Sequence, residues 1–306
     1  MKVLVTGGAG FIGTNLTLDL LSSGYEVKVF DDLSTGLKAN IPKDAEFVNA
    51  SILESSQIDK AIEDCEVVVH LAARGSVPRS IKDPIATHNV NATGTLNVLE
   101  AARTSNSHYI FSSSSSVYGS NMILPKNENM VLRPITPYAA SKMSGEGLSL
   151  AYAKTYELPV STFRFFNIFG PWQRPDHEYA AVLPKWISKC MKGDEIEIFG
   201  DGEQTRDFTY VGTVVNVLID CISNKIMHPE PVNLAYGNNV SLNQVTELLK
   251  NDFPDLKVKY LSSRDGDVLH SKNDPKLVQS LYPNVYVEKF ETSLQETINW
   301  FKELKI

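Results

Sequence analysis

The chain has 306 residues, 42% of them hydrophobic and 21% charged, with a formal net charge of −7 at pH 7. That balance is ordinary for a soluble globular protein of one large domain, or of two sharing a core. The acidic excess gives no general electrostatic reason to bind nucleic acid. No run approaches 18 uninterrupted apolar residues, so no membrane span is expected.

The apolar run at the N-terminus is too short for a signal peptide and leads straight into a structural motif. Lys2–Thr6 is β-branched and apolar, as suits a buried parallel strand. Residues 11–23 carry helical periodicity through Phe11, Ile12, Leu16, Leu20 and Leu21, and Gly24 suits the helix end. Strands are expected at Glu26–Phe30, Glu46–Asn49, Glu66–His70 and His108–Ser112, with helices over 55–63 and about 88–104 between them. A further helix starts with Thr136 as N-cap and Pro137 at the first position, runs to about 155, and is followed by a strand at Pro159–Phe165.

Strands alternating with helices imply parallel βαβ units covered on both faces. After about residue 167 prolines and glycines punctuate shorter elements. The chain therefore divides into 1–166 and a smaller unit over 167–306, with one strand near 231–236 returning to the first sheet. Cys65, Cys190 and Cys221 are scattered and read as reduced, buried thiols of a cytoplasmic protein. The six histidines show no metal-ligand spacing, so no metal site is expected.

Gly7-Gly8-Ala9-Gly10-Phe11-Ile12-Gly13 lies between the first strand and the first helix. Glycines there permit a tight turn and close approach to a pyrophosphate, which the free N–H groups and dipole of the helix N-terminus attract. Asp31 ends the second strand about 20 residues on, where a carboxylate accepts ribose hydroxyls and repels a 2′-phosphate. No arginine follows closely, which favours NAD over NADP.

Tyr138-Ala-Ala-Ser-Lys142 stands on the capped helix. A lysine four residues on shares the tyrosine's face. Together with a cationic nicotinamide it would lower the phenol's pKa, and reaching 7 takes about 4 kcal/mol of differential stabilisation. With 12 tyrosines in the chain, about one Tyr-x-x-x-Lys is expected by chance, so the surrounding motifs carry the reading. Ser112–Ser116 opens at the end of the fifth strand, where ligands of open parallel sheets bind. One of these hydroxyls can meet Tyr138.

Across essentially its whole length the chain resembles the extended short-chain dehydrogenase/reductases of the NAD-dependent epimerase/dehydratase type. The residues that carry this are Thr6–Gly13, Leu71-Ala72-Ala73, Asn89-Val90-Asn91, Ser112-Ser113-Ser114 before Val117-Tyr118-Gly119, Tyr138 with Lys142, and Arg164-Phe165-Phe166-Asn167. The resemblance implies a Rossmann-type doubly wound α/β fold with a smaller C-terminal α/β unit for substrate. It places the catalytic serine at Ser114, the base at Tyr138 and its supporting lysine at Lys142. Contacts to NAD are implied for Gly7, Gly10, Phe11, Ile12, Gly13, Asp31, Asp32, Ser34, Gly36, Ser51, Ile52, Leu71, Ala72, Ala73, Asn89, Tyr138, Lys142 and Phe166. Ser51 stands where many relatives have an aspartate at the adenine.

Related dehydratases carry an Asp-Glu pair where this chain has Ser115-Ser116, and related decarboxylases a Glu at the position of Ser116. Elimination needs such an acid and base; a set of Ser114, Tyr138 and Lys142 alone suits epimerisation through a transient 4-keto sugar. Gly75–Ser80, Tyr179–Trp186 and Gly200–Phe208 look like UDP-N-acetylglucosamine 4-epimerases. That likeness implies nucleotide-sugar contacts from Ser76, Ser114, Asn167, Val182, Lys185, Arg206, Arg264 and Ser271, the diphosphate being held by Asn167, Arg206 and Arg264. Serine at 271, in place of a bulky tyrosine, leaves room for a 2-acetamido group. The other readings are a UDP-glucuronate 4-epimerase, an NAD(P)-dependent nucleotide-sugar reductase and, distantly, a noncatalytic dinucleotide sensor. A role in polysaccharide biosynthesis and a homodimer packed through the helices near 88–104 and 137–155 are implied by resemblance.

Overall fold

A computed structural model describes residues 1–176, 180–263 and 269–304. The first half runs β1 (Lys2–Thr6), α1 (Phe11–Ser22), β2 (Glu26–Phe30), β3 (Glu46–Val48), α2 (Ser55–Ile62), β4 (Val67–His70), α3 (Val77–Lys82), α4 (Pro84–His88), α5 (Thr95–Ser105), β5 (His108–Ser114), α6 (Pro137–Tyr156) and β6 (Val160–Phe165). The second half adds β7 (Ile168–Phe169), α7 (Val182–Met191), β8 (Ile196–Phe199), β9 (Thr205–Arg206), β10 (Thr209–Tyr210), α8 (Val211–Asn224), β11 (Val232–Leu234), β12 (Val240–Ser241), α9 (Leu242–Asp252), β13 (Val258–Leu261), α10 (Lys276–Leu281) and α11 (Phe290–Glu303).

Seven parallel strands form one sheet in the order β11-β6-β5-β4-β1-β2-β3. From β1 the chain winds outward through β2 and β3, then returns beside β1 as β4 and winds the other way. The crevice between β1 and β4 is therefore the topological switch point, where such sheets bind ligands. The returning strand expected near 231–236 is β11, registered on β6 with Val232 opposite Phe163 and Leu234 opposite Phe165.

The sheet is apolar on both faces because both are covered. Val3, Val5 and Val29 pack with Leu16 and Leu20 of α1 and with Val214 and Leu218 of α8. Leu4, Val68 and Phe111 pack on the other face with Ile58 of α2 and Val98 and Leu99 of α5. A separate core under the second half gathers Phe169, Trp186, Ile196, Phe208, Leu249 and Phe301.

Two elements differ from the periodicity. The single helix expected over 88–104 is α4, a wide π turn over Asn89–Gly94, and α5. Asn91 spends its side chain inside this turn, accepting from Arg74 N at 2.7 Å and donating to Ser141 Oγ at 3.0 Å. Gly94 lies against Ile52, where a Cβ would come within 2.6 Å of Cδ1. Such inserted turns widen the helix to fit local contacts. β5 in turn runs two residues past its expected end, because Ser113 and Ser114 continue the register on Arg164 and Phe165 of β6.

Candidate active site

A cavity of about 770 Å³ opens along the carboxyl ends of β1, β2, β4, β5 and β6. At one end the glycine turn leaves β1. Gly7 has φ +72°, and a Cβ there would sit 2.7 Å from Ala72 N; one on Gly13 would sit 2.3 Å from the Gly7 carbonyl oxygen. Side chains at either place would strike backbone and force the turn open. No side chain caps α1 at Gly10, so the first-turn N–H groups beside Phe11, Ile12 and Gly13, which line the cavity, are open to an anion.

Asp31 tightens this end. Its Oδ2 accepts from Ala9 N at 3.0 Å and its Oδ1 from Leu33 N at 2.8 Å, tying the end of β2 to the turn. Burial raises its pKa, against the lowering effect of both N–H donors. Asp32, Ser34, Ser51, Ile52, Leu71, Ala72 and Ala73 line the same stretch.

Three of the implied cofactor residues do not line the cavity. Gly36 is buried against Ala9, where a Cβ would come within 2.8 Å of the Ala9 Cβ, so it serves the packing of the turn. Asn89 is exposed, and its neighbour Val90 faces the cavity because the π turn resets which side chains point inward. Phe166 packs with Val117, Tyr118 and Ala235, and Phe165, the last residue of β6, is the lining one.

The serine tract divides in two. Ser112 Oγ donates to the His70 carbonyl at 3.0 Å and Ser113 Oγ to Glu146 Oε2 at 2.8 Å, and both are buried. Ser114 faces the cavity; its Oγ accepts from Ser116 N and Oγ at 3.2 and 2.9 Å and shares a hydrogen bond with the Tyr138 hydroxyl. Thr136 caps α6 as expected, accepting from Ala139 N at 3.2 Å, and thereby starts the helix that delivers Tyr138 and Lys142 to the same wall.

The protein alone does not lower the Tyr138 pKa. Burial raises it, and the Ser114 bond only partly opposes this. Lys142 turns its ammonium to the Ser112 carbonyl at 2.7 Å, and burial brings its own pKa down to about 7. The reason is desolvation: a closed wall penalises both charged forms until a partner charge arrives. Behind it His70 is fully buried between Thr6 Oγ1 at 2.7 Å and Thr95 Oγ1 at 3.0 Å, its pKa pushed down to about 3 by burial and, secondarily, by Lys142.

Of the implied sugar-nucleotide residues, Ser76, Ser114 and Asn167 line the cavity. Asn167, at φ 33°, reaches the Asp207 carbonyl at 3.3 Å and Ser271 Oγ at 3.5 Å. Arg206 is close by in sequence, with Nη1 on the Thr205 carbonyl at 2.9 Å. Val182, Lys185, Arg206 and Ser271 are not among the lining residues; Val182 packs on the second-half core and Lys185 is exposed. Arg264 lies outside the described residues. A simple ion pair between Arg206 and Asp207, the plain alternative for that arginine, is not what occupies Asp207: its Oδ2 accepts from Asn273 N at 2.8 Å and Gly237 N at 3.1 Å, and burial lifts its pKa to about 7.

Arg74, Arg79, Trp172, Gln173 and Arg174 also line the cavity. Arg79 belongs to the Gly75–Ser80 motif and was within reach of the sequence. The last three follow the Gly170-Pro171 turn and have no periodicity to announce them. Arg174 Nη1 crosses to the Thr35 carbonyl at 3.1 Å, and Pro171 accepts from Asn15 Nδ2 at 3.0 Å, so this segment lies over the glycine turn. Arg74 Nε and Gln173 Oε1 are buried without a hydrogen-bond partner among the described residues, a donor and an acceptor that a polar ligand can engage. There is no group of three or more His, Cys, Asp or Glu residues that could hold a metal, and no helix long and apolar enough to cross a membrane, among the described residues. All three cysteines are buried and free.

Sheet order, with Ser114, Tyr138 and Lys142 on one wall of the cavity, places the molecule in the class of short-chain dehydrogenase/reductase folds. The chain belongs to the NAD dependent epimerase/dehydratase family, whose profile matches residues 3–235. A UDP-N-acetylglucosamine 4-epimerase from Methanobrevibacter ruminantium, solved in complex with UDP-N-acetylmuramic acid, is 35% identical and superposes with a TM-score of 0.93, covering 99% of this chain and 98% of its own. The UDP-glucose 4-epimerase of Thermotoga maritima, solved with UDP-glucose, is 32% identical at a TM-score of 0.93 over 100% of both chains. A UDP-glucuronic acid 4-epimerase from Bacillus cereus, in complex with UDP-glucuronic acid and NAD, is 29% identical at 0.90, covering 99% of this chain and 100% of that one. The cofactor is NAD, and the residues fit it: a tight turn in which a Cβ on Gly7 or Gly13 would strike backbone, open N–H groups at α1, and Asp31 at the end of β2.

Proposed function

We propose that the protein is an isomerase that epimerises a UDP-hexose at C4, with UDP-N-acetylglucosamine and UDP-N-acetylgalactosamine as its principal pair. The observation that carries this is the make-up of the cavity. Ser114, Tyr138 and Lys142 share one wall, and among the described lining residues the only carboxylates are Asp31 and Asp32, at the cofactor end. Elimination of water requires an acid and a base at the sugar; a tyrosine with a serine beside it moves one proton to and fro.

In this reading the glycine turn and the α1 N-terminus hold the pyrophosphate of NAD, and Asp31 holds a ribose. NAD, when bound, supplies a reversible acceptor for the two electrons of the C4–H bond. Tyr138 takes the proton of the sugar 4-hydroxyl and later returns it, while Ser114 orients that hydroxyl. Lys142 places a positive charge close to the phenol, which favours the phenolate. Asn167, Arg206 and Arg264 hold the diphosphate, a task suited to the arginine fork. The protein acts as a cytoplasmic homodimer.

Ser271 supports the acetylated pair. Its hydroxyl lies 3.5 Å from the amide of Asn167, itself a cavity-lining residue, and in this reading its small side chain leaves room for the 2-acetamido group. The test is an epimerisation assay on UDP-N-acetylglucosamine, UDP-glucose and UDP-glucuronate without added NAD, with wild type and Ser271→Tyr. Wild type should turn over the acetylated sugar best, and Ser271→Tyr should lose it while keeping UDP-glucose. Equal loss of both, or of neither, sinks the size gate; preferred turnover of UDP-glucuronate replaces the substrate.

A further inference from the structure

A single run of hydrogen bonds passes through the interior from the catalytic strand to the second half of the chain. Ser113 Oγ donates to Glu146 Oε2 at 2.8 Å. Glu146 takes Arg164 in a fork, Nη2 to Oε1 at 2.5 Å and Nε to Oε2 at 3.0 Å. Arg164 Nη1 donates to the Tyr118 hydroxyl at 2.8 Å, and that hydroxyl donates to Asn233 Oδ1 at 2.7 Å. Asn233 Nδ2 donates to Asn273 Oδ1 at 2.9 Å, and the Asn273 backbone N–H reaches Asp207 Oδ2 at 2.8 Å. None of these seven residues is more than 3% exposed.

Both ends of the run, and its inner members Glu146, Arg164 and Asn273, lie within four residues of a proposed site residue in sequence. Ser113 precedes Ser114, Glu146 is one helical turn beyond Lys142, and Arg164 is three residues before Asn167. Asn273 is two residues after Ser271, and Asp207 follows Arg206. The run itself touches neither cofactor nor sugar. An ion pair buried this deeply is a weak source of stability, because desolvation offsets most of its attraction, but it fixes geometry. Buried polar networks likewise specify the arrangement of the elements that meet in them; in this run Asp207 Oδ1 is left without a hydrogen-bond partner among the described residues.

We propose that this relay is a positioning device for the reaction. It sets the spacing between the proton-transfer group on β5 and α6 and the substrate-holding group at Asn167, Arg206 and Ser271, with the Tyr118 hydroxyl as its central joint. The proposal rests on the epimerase reading above. Each half keeps its own grip on its ligand when the joint is cut; what is lost is their mutual placement. A misplacement of about 1 Å costs a reaction on the order of 100-fold without abolishing binding.

Tyr118→Phe cuts the joint and keeps the ring, which packs on Phe166 and beneath the Arg164 guanidinium. Asn273→Ser weakens the relay near its far end. Both, and the double variant, are purified with their NAD and measured for NAD content, UDP affinity by calorimetry, melting temperature, and kcat and KM on the best sugar of the panel. Expected for each single variant are a kcat reduced about tenfold or more, UDP affinity within about twofold of wild type, and unchanged NAD content. The double variant should be scarcely worse than the weaker single one, since residues in one network do not add. Single variants with kcat near wild type, losses that multiply in the double, or kcat and UDP affinity falling together with the melting temperature each overturn the relay. Should Tyr118→Phe prove insoluble, Asn273→Ser decides alone by the same kcat criterion. Wild-type inactivity on every sugar overturns the epimerase reading and the relay with it, whereas an active wild type with indifferent variants overturns the relay alone.

Discussion

Tyr138 begins the cycle with the wrong pKa for a base, raised by its burial, and Lys142 with one near 7. The proposed catalysis therefore depends on charge brought in by ligands rather than on the empty wall. Tyr138→Phe should lower turnover by about 10²–10⁴-fold, the range of general acid–base effects, and leave NAD content unchanged; near-normal turnover would remove Tyr138 from its role. His70 supplies a pH test independent of substrate. Its pKa is about 3 in the fold and about 6.5 when unfolded. The unfolded chain thus takes a proton that the fold refuses, so stability is full above pH 6.5 and falls as the pH drops towards 3. From pH 7.5 to 5 this one group costs about 2 kcal/mol, and His108, pushed down to about 4 by burial, acts the same way. Denaturant unfolding of His70→Gln should show a loss over that range smaller by about 2 kcal/mol; an unchanged loss would mean that His70 titrates normally. At this scale local signals were readable and directions were not. Thr136 and Asp31 could be placed from their neighbours in sequence, but which of Phe165 and Phe166 meets the cavity depends on how β6 ends at Asn167, with its φ of 33°.

The glycine turn is the element whose tolerance is narrowest. Gly13→Ala would put a Cβ 2.3 Å from the Gly7 carbonyl oxygen and 2.6 Å from Gly8 Cα, both backbone atoms that cannot swing aside. The turn must shift, and NAD content after purification should fall at least about tenfold, equivalent to 1.4 kcal/mol of affinity; retention of NAD at the wild-type level would show that the cradle has slack. Strands and capped helices of the first half were legible because their signals are local: β1 and β2 have the expected bounds. The broken helix over 84–105 was not, since Asn91 and Gly94 act through Arg74, Ser141 and Ile52, contacts that no periodicity contains. The segment Trp172–Arg174 is not announced by periodicity for the same reason: contacts from Asn15 and Thr35, distant in sequence, help to hold it at the cavity.

At the scale of the molecule, β11 has the widest effect. It lies beside β6 as the outermost strand, and the chain between the two contains α7, α8 and strands β7 to β10. That stretch is consequently fastened to the sheet at two places, like a loop stitched at both ends, and swinging away from the Ser114 and Tyr138 wall about a single pivot is ruled out by its connectivity. The same stitch protects the sheet. A chain ending at residue 166 would leave β6 with an unpaired row of backbone groups flanked by Val160 and Phe163, both buried in the whole protein. An open, apolar margin of that kind invites pairing with another chain. The first half of the chain is thus not complete at its edges: the strand that seals β6 is β11, which comes from residues 232–234.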